Sequence, residues 1–223
     1  MTSERSPGDG TPRQTMVALG PRISAAFGAA DVRIDALCLT AELLSAALGE
    51  QRTLIHTRRS MPATITVRVL LPNRDIDLAF PRMISAPEEP DPVHRRWLAQ
   101  RNAHGIVLSD HLRGLGAVHG IDVDIQFKAL PFTPPVKLYL LNGTEALFAY
   151  YQVTEREEQI GRESVAMYDA LGGGRVAALL VRRGRRPRPR VRDAVADLVR
   201  RTLDNHRDRP RALLTVGRCV DAP

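Results

Sequence analysis

Pro135-Val136-Lys137-Leu138-Tyr139-Leu140-Leu141-Asn142-Gly143, followed by Ala149-Tyr150-Tyr151-Gln152, is the stretch that decides the fold. It reads as two strands, 136–141 and 146–153, joined at Asn142-Gly143. Asn-Gly is a strong signal for a tight turn between antiparallel strands, because both residues tolerate positive φ. Side chains alternate along a strand, so Lys137 and Tyr139 fall on one face. Lysine is rare in this chain: of 32 Lys and Arg, only Lys128 and Lys137 are Lys.

Upstream of the hairpin, 121–130 reads as a further strand, linked to it by Pro131-Phe132-Thr133-Pro134-Pro135. Ile65 to Leu71 is rich in β-branched residues and stops at Pro72-Asn73, and Val32 to Leu39 is another strand. Helices are expected over 15–29, interrupted at Gly20-Pro21, and over 41–49, with Thr40 as N-cap and Gly49 as terminator. Two more are expected over 93–101 and 105–117. A last one covers 155–171, with Ile160, Ser164, Met167 and Leu171 on one stripe and Gly172-Gly173-Gly174 at its end. Val176 to Val181 closes the series as a strand. Residues 50–62 read as a basic loop carrying His56, and the proline-rich, acidic 72–92 as a long connection. This order predicts an α/β fold, a mixed sheet flanked by helices, with two crossover units and a hairpin. The domain spans 15–182, between a tail at 1–14 and a basic extension at 183–223.

Composition narrows the class. The 223 residues are 43% hydrophobic, which fits a folded chain, but only 4% aromatic, so the core rests on Leu, Val, Ile and Ala. Two cysteines, Cys38 and Cys219, make neither a disulfide framework nor a paired zinc site, and Cys38 reads as a small buried hydrophobe. The N-terminal residues lack a signal-peptide core, and no apolar run approaches the ~20 residues of a membrane span. A cytoplasmic protein is expected, with no metal and no cofactor.

The spacing around Lys137 resembles the phospholipase D superfamily. Its signature is His-x-Lys, four mostly apolar residues, then Asp, with Gly-Ser-x-Asn shortly downstream. Lys137 takes the Lys position, Leu138 to Leu141 the apolar strand and Asn142 the Asp position, while Pro135 replaces the nucleophilic His. Ala149-Tyr150-Tyr151-Gln152 falls where Gly-Ser-x-Asn would be. The resemblance covers roughly 15–172 and implies a phospholipase D-like fold. The family's site draws on two such motifs and this chain carries one, so a homodimer is implied. Proline supplies no nucleophile for a covalent phosphoryl intermediate. The implied function is therefore a catalytically degenerate ligand-binding or sensor domain, as found with bacterial transcription regulators. Lys137, Tyr139, Asn142, Tyr150 and Gln152 would hold a small anionic ligand, beside a wall of Phe132 and the neighbouring prolines. The alternative is a phosphodiesterase or transferase with a relocated nucleophile, His111 or His119. A protein-interaction scaffold is a third reading.

The charge is local. Residues 182–211 hold twelve Arg and four Asp, a net of +8, against +7 for the whole chain. Arg182, Arg183, Arg185, Arg186, Arg188 and Arg190 form a run broken by proline, followed by an amphipathic helix marked by Val191, Val195, Leu198 and Val199. Such a run suits sequence-independent contact with nucleic acid, or an acidic face on a partner regulator. His104, His111 and His119 are too far apart along a helix for one metal. Asp122 and Asp124 read as a solvated strand face.

Overall fold

The computed structural model describes residues 15–85, 90–171 and 175–180. The 1–14 tail, the Gly172-Gly173-Gly174 terminator and the basic 183–223 extension with its Arg run and helix lie outside the described residues. Within them the order is β1 (Thr15–Ala18), α1 (Leu19–Ala26), β2 (Asp31–Leu37), α2 (Glu42–His56), β3 (Thr64–Pro72) and β4 (Arg82–Met83). Then come α3 (Pro92–His119), β5 (Asp122–Leu130), β6 (Val136–Leu141), β7 (Glu145–Tyr150), β8 (Gln152–Ile160), β9 (Glu163–Leu171) and β10 (Arg175–Leu180).

The main sheet has seven strands in the order β1-β10-β7-β6-β2-β3-β5. β2, β3 and β5 run parallel, and every other neighbouring pair is antiparallel. The protein is α/β with a mixed sheet flanked by helices. α2 and α3 are the crossovers of β2-α2-β3 and β3-α3-β5, which step along the sheet in one direction and so bring both helices to one face. Their apolar stripes, Leu44, Leu48 and Ile55 on α2 with Leu108, Leu112 and Leu115 on α3, pack on Ile34, Ile65, Val67 and Val69. A smaller cluster of Leu70, Leu130 and Leu138 lies apart from this core, and Leu138 alternates with the core residues Tyr139 and Leu141 along β6. β4, β9 and β8 form a second, antiparallel sheet.

Four expectations are corrected. The helix over 15–29 is a strand followed by α1, and Pro21 sits in the first turn of α1, where a missing N–H costs nothing. The helix expected to stop at Gly49 runs to His56, because Gln51 and Ile55 continue its buried stripe; the basic loop is correspondingly shorter. The two helices over 93–117 are one. Asp91 caps it, accepting from the backbone N–H groups of Val93 (2.8 Å) and His94 (3.1 Å), with Pro92 in its first turn.

The fourth correction is the largest. Residues 155–171, expected as a helix, are most of the β8–β9 hairpin, turned at Gly161 with φ 67°. The side chains from Thr154 to Ile160 alternate between half-buried and exposed, which is strand periodicity. Glu, Arg and Gln favour helices by only a few tenths of a kcal/mol per residue, so pairing across the hairpin overrides them. The strand expected over 146–153 accordingly divides at Tyr151 between the two sheets.

The Asn142-Gly143 turn is as tight as its residues suggest, with φ of 49° and 66°. Asn142 does more than turn the chain. Its Oδ1 accepts from the Arg33 N–H at 2.8 Å, and its Nδ2 donates to the Ala26 carbonyl at 2.9 Å. Asn142→Ala forfeits both bonds and puts a Cβ-bearing residue without a local partner in the left-handed region. A loss of about 2 kcal/mol is expected in urea unfolding.

Candidate functional site

β6 runs antiparallel to β2 with Leu138 opposite Leu37, so the start of β6 meets the carboxyl end of β2. At this point the sheet changes from parallel (β2–β3) to antiparallel (β2–β6) neighbours. In open α/β sheets, ligands collect in the crevice outside the carboxyl ends of parallel strands, at points where the strand order reverses. A cavity of about 270 Å³ lies there. Cys38 and Thr40 after β2, Glu42 at the start of α2, Trp97 and Arg96 on α3, and Lys137 and Tyr139 on β6 all line it. Tyr151, Arg156, Met167 and Asp169, from the second sheet and the residue leading into it, complete the wall.

Lys137 is 6% exposed. Its Nζ lies 5.2 Å from the centroid of the Tyr151 ring, and among the described residues no carboxylate forms an ion pair with it. Burial pushes its pKa down, against the opposing pull of Cys38 and Glu42. The arginines nearby differ. Arg156 is held by Glu158 and Asp169, and Arg96 Nη2 reaches Glu158 at 3.2 Å. That network ties α3 to the β8–β9 hairpin, and of the three cations that line the cavity only Lys137 has no ion pair among the described residues.

Two aromatic residues fix the segment between β2 and α2. The Leu39 N–H donates to the Tyr151 hydroxyl at 2.7 Å, and the Trp97 indole donates to the Leu39 carbonyl at 3.2 Å. α2 begins immediately afterwards. Its N-cap is Ala41 rather than the expected Thr40, with no side-chain cap bond, and Thr40, Glu42 and Leu43 around this helix start line the cavity. The partial positive charge of a helix N-terminus therefore faces the same space as Lys137. Glu42 offsets part of it.

Cys38 is buried, and burial pushes its thiol up to about 12. A thiol held protonated is a poor nucleophile. Iodoacetamide in mildly alkaline buffer is expected to leave the Cys38 peptide unmodified in the native protein and to alkylate it once guanidinium is added, as read by peptide mass.

Of the ligand-binding candidates, the structure brings Lys137 and Tyr139 together in the cavity. Asn142 lies at the far end of β6, Tyr150 is exposed against Phe148, and Gln152 is exposed on β8; none of the three lines it. Phe132 is exposed, and Pro81 rather than the 131–135 prolines forms part of the wall. His111 is half-buried some eleven residues past Gln100, about 16 Å along α3 from the cavity. His119 is farther still, with its Nε2 2.8 Å from His56 Nδ1. Sequence reasoning missed Trp97, Arg96 and Glu42. The one available signal was that Trp97 is the chain's single tryptophan.

Comparison with known proteins yields no match to a family model, a curated protein or a solved structure. The site offers a small, half-open cavity, a buried lysine with no ion-paired carboxylate among the described residues, a helix N-terminus and an aromatic wall. Among the described residues no cluster of side chains suits a metal ion, and no helix is long and apolar enough to cross a membrane.

Proposed function

We propose that the protein binds a small anionic ligand in the Lys137 cavity and serves as a regulatory sensor, a phospholipase D-like domain without its nucleophile. The observation that carries this reading is Lys137 itself. Lys137 is nine-tenths buried, no carboxylate among the described residues forms an ion pair with it, and the Tyr151 ring offsets only part of the cost of desolvation, so its presence points to a ligand that supplies the missing charge. The N-terminus of α2 adds a second attraction for an anion. The phospholipase D-like part of the reading rests on the sequence spacing, to which the structure adds that Lys137, near the start of β6, lines the cavity. The homodimer and the contact of the basic segment with DNA or a partner regulator belong to the same reading.

No specific observation favours an enzyme. Neither His111 nor His119 reaches Lys137, and Cys38 is held as a thiol.

The test is thermal and urea unfolding of the full-length protein against inorganic phosphate, phosphate monoesters, nucleotides and dicarboxylates. An anion present at ~100 times its dissociation constant is expected to add about 2.7 kcal/mol. A panel without a single stabilising member would sink the reading.

A further inference from the structure

We propose that Lys137 forms an imine with a small carbonyl acid, a 2-oxo acid or an acid bearing an aldehyde, held in this cavity. The inference rests on the cavity being a ligand site and goes on to name the chemistry of the ligand.

Around the cavity and the neighbouring sheet, three half-buried arginines contrast with Lys137. Arg68 meets Asp35 at 2.6 Å, Arg96 meets Glu158 at 3.2 Å, and Arg156 is gripped by two carboxylates. Each is a guanidinium that stays charged, and each has its counter-ion. Lys137 has a different group and a different setting. Its amine can shed its proton, and what surrounds it is the Tyr151 ring, the Cys38 thiol and Tyr139, with the Glu42 carboxylate in the same wall but not in an ion pair with it. A desolvated lysine amine without an ion-pair partner is the form in which lysine acts as a nucleophile toward carbonyl carbon. Burial lowers its pKa in the same sense.

The remaining groups suit the rest of such a ligand. The N-terminus of α2, which has no side-chain cap, borders the cavity and would receive the acid group, while Arg96 in the same wall stays paired with Glu158. Glu42 and the Tyr139 phenol line the same space and would carry protons.

The step balances without a cofactor. The Nζ lone pair attacks the carbonyl carbon and forms the C–N bond, and the carbonyl π electrons move to oxygen, which takes a proton. The nitrogen loses a proton to give the neutral carbinolamine. Protonation of its hydroxyl lets it leave as water while the nitrogen lone pair forms the C=N bond, and the resulting iminium returns that proton to give the imine. One carbonyl and one amine give one imine and one water, with no change of oxidation state.

The experiment is reductive trapping on the full-length protein, with glyoxylate as the carbonyl probe and sodium cyanoborohydride as reductant. Peptide mass spectrometry reads the outcome. The chain's two lysines make the map simple, with Lys128 as the internal reference. The expected result is a carboxymethyl group on Lys137 that accumulates on the order of tenfold faster than on Lys128. Equal labelling of the two, or none at Lys137, would overturn the imine. Glycolate, which keeps the acid and lacks the carbonyl, separates the two readings. If glycolate stabilises the protein and glyoxylate leaves Lys137 unlabelled, the anion site stands and the imine falls. If neither compound acts, both fall. Preferential trapping without stabilisation by glycolate would support the imine and count against a simple anion site.

Discussion

Lys137→Met is expected to make the unliganded protein more stable and at the same time blind to its ligand. Methionine nearly matches the length of the lysine stem and places a thioether where the amine lay, so the aromatic wall keeps its packing. The substitution removes the cost of partly desolvating the amine at the cavity wall, up to about 1–3 kcal/mol. It also forfeits the contact with the Tyr151 ring, about 0.5–2 kcal/mol for a desolvated cation. The centres of the two ranges leave a gain of less than about 1 kcal/mol in the apo protein. The ligand-dependent increment of about 2.7 kcal/mol at ~100 times the dissociation constant should vanish. Urea unfolding of both proteins, with and without the best anion, reads the two effects separately. A structural lysine behaves in the opposite way: its loss lowers apo stability and leaves the ligand increment intact. That outcome would refute the assignment of Lys137 to a site.

The parts of this site that were legible in the sequence are those that local rules govern. The span of β6 follows from Pro135 on one side and Asn142-Gly143 on the other, and strand alternation alone puts Lys137 and Tyr139 on one face. The same rule, applied to distance, separates Asn142 from Lys137. Five residues of strand span about 16 Å, so a compact motif in sequence is a long object in space. Trp97, Arg96 and Glu42 come from two other elements, and they reach the cavity only because α2 and α3 both begin at the carboxyl end of β2 and β3. No local pattern carries that information. The β8–β9 hairpin was illegible for a related reason. Its Glu- and Arg-rich sequence favours a helix, while Arg156 finds Asp169 across the hairpin and Glu158 finds Arg96 from α3. Long-range partners of this kind decide between two local readings of similar energy.

Trp97→Ala is expected to cost the most stability of any substitution around the cavity, about 3–5 kcal/mol. Trp97 is 2% exposed, and its ring packs edge-on against His94 at 5.1 Å between centroids. Truncation opens a void that the stiff start of α3, fixed by Asp91 and Pro92, has little freedom to fill. It also orphans the Leu39 carbonyl, which the indole N–H now satisfies. Because Leu39 leads into α2, the damage should spread from stability to the geometry of the anion site. Trp97→Phe separates the two contributions: it keeps most of the buried volume and loses the N–H, for an expected cost of about 1–3 kcal/mol. Circular dichroism must follow these unfolding curves, since Trp97 is the only tryptophan. In the wild type that same fact makes intrinsic fluorescence a direct report on the cavity wall. A ligand that seats beside Lys137 should alter Trp97 emission in proportion to its thermal stabilisation. Stabilisation with unchanged emission would locate the ligand elsewhere.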